Sequence, residues 1–171
     1  LSEAEKEGIH LSIIDTGGGI PVRYVKDIYP LEDLAALLNH KIENLFPSNI
    51  KTIMEPGRPL VGSAMTLITK VIGTNRRGGR ECAYLDDGCY NSLSEKIFGH
   101  CEYRIVSDNQ APMVKYVLFG PTCDSVDMIS RESYLPRVQE GDILLVLNTG
   151  AYTNAAATHF NGFEPAKIVF I

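Results

Sequence analysis

Four short segments of this chain carry residue types that could do chemistry together: Asp15-Thr-Gly-Gly-Gly19, Glu55-Pro-Gly-Arg58, Gly120-Pro-Thr-Cys-Asp-Ser-Val-Asp127 and Asn148-Thr-Gly-Ala-Tyr-Thr153. Gly17, Gly18 and Gly19 follow a short apolar run and have no Cβ, so their backbone N–H groups can approach an anion closely. Glu55, Gly57 and Arg58 bring a carboxylate, a backbone donor and a guanidinium within four residues. Cys123 stands beside Asp124, a thiol next to a carboxylate, and Tyr152 adds a phenol. As a set they supply what a buried phosphorylated cofactor would need: permissive backbone at the phosphate, a cation for its charge, a carboxylate for a ring nitrogen, and a thiol beside a second carboxylate.

Each segment taken singly also has a plainer reading. The glycine run alone fits a plain turn at a strand end. Glu55-Pro-Gly-Arg58 fits a surface turn with a local ion pair. Cys123 could be an inert thiol, and Tyr152 could pack in a core with its hydroxyl satisfied. The histidines, at 10, 40, 100 and 159, have no evident partners in the sequence.

Composition narrows the classes of function. Sixteen Lys plus Arg against 21 Asp plus Glu give a net charge of −5, which argues against broad binding to nucleic acid or to anionic membrane. No apolar run approaches the roughly 18 residues of a membrane-spanning helix. The four cysteines (82, 89, 101 and 123) form no C-x-x-C pair and have no histidine at ligand spacing, so no metal site is expected. A chain with 44% hydrophobic residues needs no disulfide framework, and a reducing cytoplasm is the expected location.

The elements that must position these residues fall into two groups. Residues 9–14 and 50–54 read as short strands, each ending at one of the first two motifs. Between them a helix is expected over about 30–46, started by Pro30, Glu32 and Asp33 and stopped by Pro47. Its stripe Leu31, Leu34, Leu38, Ile42 and Leu45 repeats at helical spacing and is expected to be core. Strand–helix–strand with functional residues after the strands is α/β grammar. From about residue 64 the period changes. Strands are expected over 64–73 and 80–86 around a turn at 75–79, over 113–119 and 142–147, and last over 167–171, with a short helix after Ala151. The fold class is therefore the last strand–helix–strand units of an α/β barrel (1–63) joined to a C-terminal all-β, barrel-like domain (64–171). A whole barrel takes about 250 residues, so the rest is expected before Leu1, and Leu1–Gly8 reads as the end of a helix.

In order and spacing the four motifs resemble the ornithine/diaminopimelate/arginine decarboxylase family, pyridoxal-phosphate-dependent enzymes of fold type III. The run Pro121-Thr-Cys-Asp-Ser-Val-Asp127, Gly150-Ala-Tyr-Thr153 and Phe160-Asn-Gly-Phe163 looks most like its ornithine and lysine branch. The resemblance implies a cofactor-bearing α/β barrel followed by a β-domain. It implies decarboxylation of ornithine or lysine to a diamine, as in polyamine biosynthesis, with diaminopimelate or arginine decarboxylase, or a non-catalytic protein-binding homologue, as alternatives. Gly17, Gly18 and Gly19 would wrap the phosphate of pyridoxal 5'-phosphate, Gly57 and Arg58 would hold it, and Tyr152 would donate its hydroxyl to it. Glu55 would pair with the pyridine nitrogen. Cys123 would return a proton after CO₂ departs and Asp124 would bind the distal ammonium, both reaching into the partner's site of a homodimer. Two departures stand out. The lysine to which the family attaches its cofactor lies early in the barrel, and no lysine here stands in that context. Gly99, in Ile97-Phe-Gly-His100, occupies a place where ornithine-type members carry an acid.

Overall fold

The computed structural model describes residues 2–99 and 101–171; Leu1 and His100 lie outside the described residues. Ser2–Lys6 form a one-turn helix, α1, with Glu3 and Glu5 at its positive end, in line with the helical reading of the N-terminal segment. Strand β1 (Ile13–Asp15) and strand β2 (Lys51–Ile53) pair in parallel, with helix α2 (Leu31–Leu45) between them. This is one β-α-β unit with the expected elements; the helix and second strand keep nearly the expected bounds, whereas the first strand, expected over 9–14, is only Ile13–Asp15. A barrel is not visible in this chain, because two strands give one ladder and no closure. The leucine stripe is also not core here: no residue of α2 is buried, and Leu31 and Leu45 are largely exposed. Helical spacing selects a face, but a two-stranded sheet is too narrow to cover it.

Helix α3 (Gly57–Val61) follows directly on the second motif. The rest builds a six-stranded sheet: β3 (Leu67–Arg77), β4 (Arg80–Leu85), β5 (Ile105–Val106), β6 (Met113–Phe119), β7 (Met128–Pro136) and β8 (Ile143–Val146), in the order β5-β8-β3-β4-β6-β7. The edges β5 and β7 approach one another, so the sheet is nearly closed. Along β3 the residues from Leu67 to Ile72 alternate strictly between buried and exposed, as a sheet with one wetted face requires. Leu67, Val71, Leu85, Leu118, Leu135, Leu144 and Val146 meet inside.

The β-domain departs from the sequence reading in three places. The hairpin turn is tighter than 75–79: Gly78 and Gly79 alone make it, at φ 56° and 77°, the left-handed pair that a two-residue turn demands. Strands β5 and β7 had no signal. Strand β7 runs through Ser130-Arg131-Glu132-Ser133, and shifts in its register with β6 break the alternation. The strand expected at 167–171 is not formed; Val169 and Phe170 are exposed and no ladder includes them among the described residues. β-propensity without a neighbouring edge does not make a strand. After Ala151 the chain does turn helically, as a short 3-10 turn, Asn154–Ala156.

Strands β4 and β6 are parallel within an otherwise antiparallel sheet, so a crossover must connect them. That crossover, 86–112, carries helix α4 (Glu95–Phe98). It brings Asp87–Tyr103 over one end of the sheet, against both the β-α-β unit and the loop 148–163.

Candidate active site

The first two motifs meet because their strands pair. Thr16 N–H donates to Ile53 O at 2.9 Å, and Glu55 N–H donates to Gly17 O at 2.9 Å. Gly17 N–H is turned back onto Asp15 Oδ1 at 2.8 Å. Gly17 and Gly19 sit at φ 70° and 80°, and Gly18 passes so near the Glu55 carbonyl that a Cβ would lie 2.5 Å from its oxygen. Glycine is required at all three positions, for conformation at two and for clearance at one.

Tyr152 arrives from the opposite end of the chain. Gly150 N–H donates to Gly62 O at 2.9 Å and Thr149 N–H to Met65 O at 3.0 Å, which docks the loop 148–152 on the end of α3. Tyr152 then takes φ 62°, a costly conformation for a bulky residue. Its hydroxyl stands 3.7 Å from where a Cβ on Gly57 would be, and the Arg58 guanidinium carbon lies 5.3 Å from its ring centroid. Gly17, Gly18, Gly19, Glu55, Gly57, Arg58 and Tyr152 therefore share one side of the molecule.

Arg58 is also held from the crossover. Its Nη2 donates to Glu95 Oε2 in a tight ion pair, although Glu95 is only 8% exposed. Its Nε is buried and has no acceptor among the described residues. Cys101 Sγ donates to the same Glu95 oxygen at 3.6 Å, and burial pushes the Cys101 thiol up. Tyr24, edge-on to Tyr103 at 5.3 Å, is pushed up to about 12, first by burial. Glu95 gave no sequence signal. It also explains Gly99: a Cβ there would lie 2.5 Å from Glu95 Oε2, so the space beside position 99 is filled by a carboxylate one helical turn earlier.

Cys123 and Asp124 belong to a second group. Tyr90 O–H donates to Asp124 Oδ2 at 2.5 Å, and Val126 N–H donates to Oδ1 at 2.9 Å. The Tyr90 hydroxyl, then the Val126 amide, hold the Asp124 carboxyl below the usual aspartate range. The same bond pushes Tyr90 up to about 12. The folded value of Asp124 lies below its free value, so what it contributes is present above the ordinary carboxylate range and lost as pH falls through the lowered value. Asn161 Nδ2 approaches Cys123 Sγ at 3.6 Å. Among the described residues no hydrogen bond or ion pair joins this pair to the Arg58 group.

Asp127 fixes the loop that presents Cys123 and Asp124. It is 1% exposed. Oδ1 accepts from Cys89 N–H at 2.7 Å and Oδ2 from Thr122 N–H at 3.0 Å. Gly88 and Gly120 press against it with no room for a Cβ. Asp127→Ala leaves two partly or fully buried amides unpaired, and each such group costs about 1–3 kcal/mol. A loss of roughly 2–4 kcal/mol is expected in urea unfolding, with the urea dependence of the free energy unchanged; a loss under about 0.5 kcal/mol would overturn this role.

The glycine cradle, the arginine with an unmet donor and the facing phenol fit a phosphorylated ligand, and Glu55 stands beside them with its side chain exposed. A nearly closed sheet behind a β-α-β unit with this site defines a class, and the comparisons agree. Residues 12–150 match the family described as pyridoxal-dependent decarboxylase, C-terminal sheet domain, and the chain belongs to that family. It is 38% identical over 172 residues to a lysine/ornithine decarboxylase of Selenomonas ruminantium, covering 99% of this chain and 43% of that protein. The crystal structure of lysine/ornithine decarboxylase complexed with cadaverine from Vibrio vulnificus superposes with a TM-score of 0.84 at 37% identity, covering 96% of this chain and 46% of that one. The arginine decarboxylase of Paramecium bursaria Chlorella virus bound to agmatine gives 0.79 at 32%, covering 95% and 45%. The chain spans less than half the length of these relatives.

Proposed function

We propose that the protein carrying this chain is a pyridoxal-phosphate-dependent decarboxylase of ornithine and lysine. In this reading residues 1–63 are the last units of its cofactor-binding α/β barrel and residues 64–171 its β-domain. The observation that carries the proposal is the convergence of Gly17–Gly19, Glu55, Gly57–Arg58 and Tyr152, residues up to 135 positions apart, around one cradle that suits a phosphate. Bound there, the cofactor supplies an electron-accepting ring that lets the α-carboxylate leave as CO₂.

The chain's own residues do the rest. Gly17, Gly18, Gly19 and Gly57 give backbone room and N–H donors, Arg58 adds charge-assisted bonds, and Tyr152 O–H closes the phosphate side. Glu55 would pair by its carboxylate with the ring nitrogen. Asp124, kept ionised by Tyr90, would bind the distal ammonium of the substrate, and Cys123 would supply a proton after CO₂ has left. The separation of the Cys123–Asp124 pair from the Arg58 group supports a homodimer in which each pair serves the other subunit's site. The four thiols, free in the structure, go with a cytoplasmic enzyme.

Substrate choice tests the reading. One carboxylate, Asp124, faces the distal cation, while Glu95 is already engaged with Arg58. Discrimination by a single methylene is worth about 1–3 kcal/mol, or 10–200-fold. The full-length protein is therefore expected to turn over both ornithine and lysine, with kcat/KM values within about a hundredfold. Comparing ornithine, lysine, arginine and diaminopimelate checks it. A strong preference for diaminopimelate would overturn the assignment, because its distal carboxylate would meet the Asp124 anion.

A further inference from the structure

We propose that Asn161 is a positioning residue for Cys123: its side-chain amide donates to the sulfur, aiming the thiol and steadying the charge that sulfur carries once its proton has gone. The inference rests on the reading of Cys123 as a proton donor. In that step the S–H bond breaks, its electron pair stays on sulfur, and the electron pair left on the decarboxylated carbon forms the new C–H bond. The sulfur thus becomes anionic as the proton moves, and a nearby N–H donor favours that change.

The contact is built by a folded turn and is not a chance approach of two loose side chains. Asn161 sits at φ 57°, ψ 17° inside the turn Phe160–Gly162, a left-handed conformation that asparagine tolerates better than most residues. Phe160 N–H donates to Thr158 Oγ1 at 3.2 Å, and Thr158 Oγ1–H donates to Tyr90 O at 2.8 Å. The Phe160 ring stacks on Tyr90 with centroids 4.2 Å apart. Tyr90 in turn holds Asp124. One turn thus reaches Cys123 through Asn161 and Asp124 through Tyr90, and it fixes both functional side chains relative to each other. Among the described residues, the charged groups that line one groove of about 580 Å³ with the thiol are Asp124, Arg77, Arg80 and Arg131. They are unchanged by substitution at 161.

Thiol alkylation reads this contact without turnover. Cys123 is the exposed cysteine, whereas Cys82, Cys89 and Cys101 are buried. Peptide-resolved iodoacetamide labelling of Cys123 in the full-length protein compares the parent with Asn161→Gly and Asn161→Asp. Glycine keeps the left-handed backbone and removes the amide; aspartate keeps the size and replaces a donor with a negative charge. Alkylation needs the thiolate. At pH 7 labelling is expected to slow about tenfold in Asn161→Gly and further in Asn161→Asp. At pH 10, above the range where an ordinary thiol ionises, the rates are expected to converge. Asn161→Gly labelling as fast as the parent at pH 7, or a ratio unchanged between the two pH values, would overturn the proposal, since mere steric cover gives those results. If Asn161→Gly does not fold, the same comparison on Asn161→Asp decides. Failure of the functional reading shows separately: Cys123→Ala turning over like the parent removes the role of the thiol and leaves the labelling result standing.

Discussion

Glu55→Ala in the full-length protein is expected to lower turnover a hundredfold to several-thousandfold while changing cofactor affinity much less. Glu55 ends β2, and its backbone is bonded on both sides, its N–H to Gly17 O and its carbonyl to Gly57 N–H, each at 2.9 Å. The backbone at Glu55 is thereby fixed beside the glycine turn. With the cofactor bound, Glu55 would pair with a ring nitrogen enclosed by the site; removing one partner of such an enclosed pair costs about 3–5 kcal/mol, and each 1.36 kcal/mol is tenfold in rate. The loss falls on the step that needs a protonated ring nitrogen. Arg58→Ala is expected to behave in the opposite way, raising the cofactor requirement first, because in the proposed reading Arg58 answers the phosphate. Spectroscopic titration of the cofactor beside steady-state kinetics separates the two. Unchanged turnover with weakened binding in Glu55→Ala would show that Glu55 has been given the wrong role.

Mixing two inactive variants is expected to restore about a quarter of parental activity. One is Cys123→Ala; the other lacks the lysine that attaches the cofactor, which the family places outside this chain. In an isologous dimer, random exchange makes half the dimers mixed. A mixed dimer has one site with both lysine and thiol and one site with neither. The physical ground is the separation of the groups: Cys123 and Asp124 bond to Tyr90, Val126 and Asn161, whereas Arg58 bonds to Glu95 and lies against Tyr152. No recovery after subunit exchange has been shown by mass would mean that each subunit completes its own site.

The β-α-β unit was legible because each element is marked locally: Pro30 and Pro47 bound α2, and glycine or proline ends each strand. Strands β3 and β4 were legible from the change of period after about residue 64 and from the glycine-ended turn between them. Strand β7 was not, because its middle is polar and bulged. The segment 167–171 misled in the other direction, apolar and β-prone yet unpaired. Among site residues, the glycines, Glu55, Arg58, Cys123, Asp124 and Tyr152 stood out as local clusters of chemistry-bearing types. Tyr90 and Glu95 did not, since nothing near them in sequence marks a tyrosine or a glutamate as more than surface; Asn161 lay in the run Phe160-Asn-Gly-Phe163 but carried no role of its own.

What the sequence determined alone was the inventory and its local backbone. Glycines permit φ of 70° and 80° at 17 and 19 whatever surrounds them, and residue type decides which groups carry charge, thiol or phenol. What only the tertiary structure decided was pairing. Arg58 meets Glu95 across 37 residues, Tyr90 meets Asp124 across 34, and Asn161 meets Cys123 across 38. Those partners are chosen by the crossover between β4 and β6 and by the docking of the loop 148–163. Such contacts follow from sheet order and chain path, which are set by burial of the whole core and leave no mark at the residues they join.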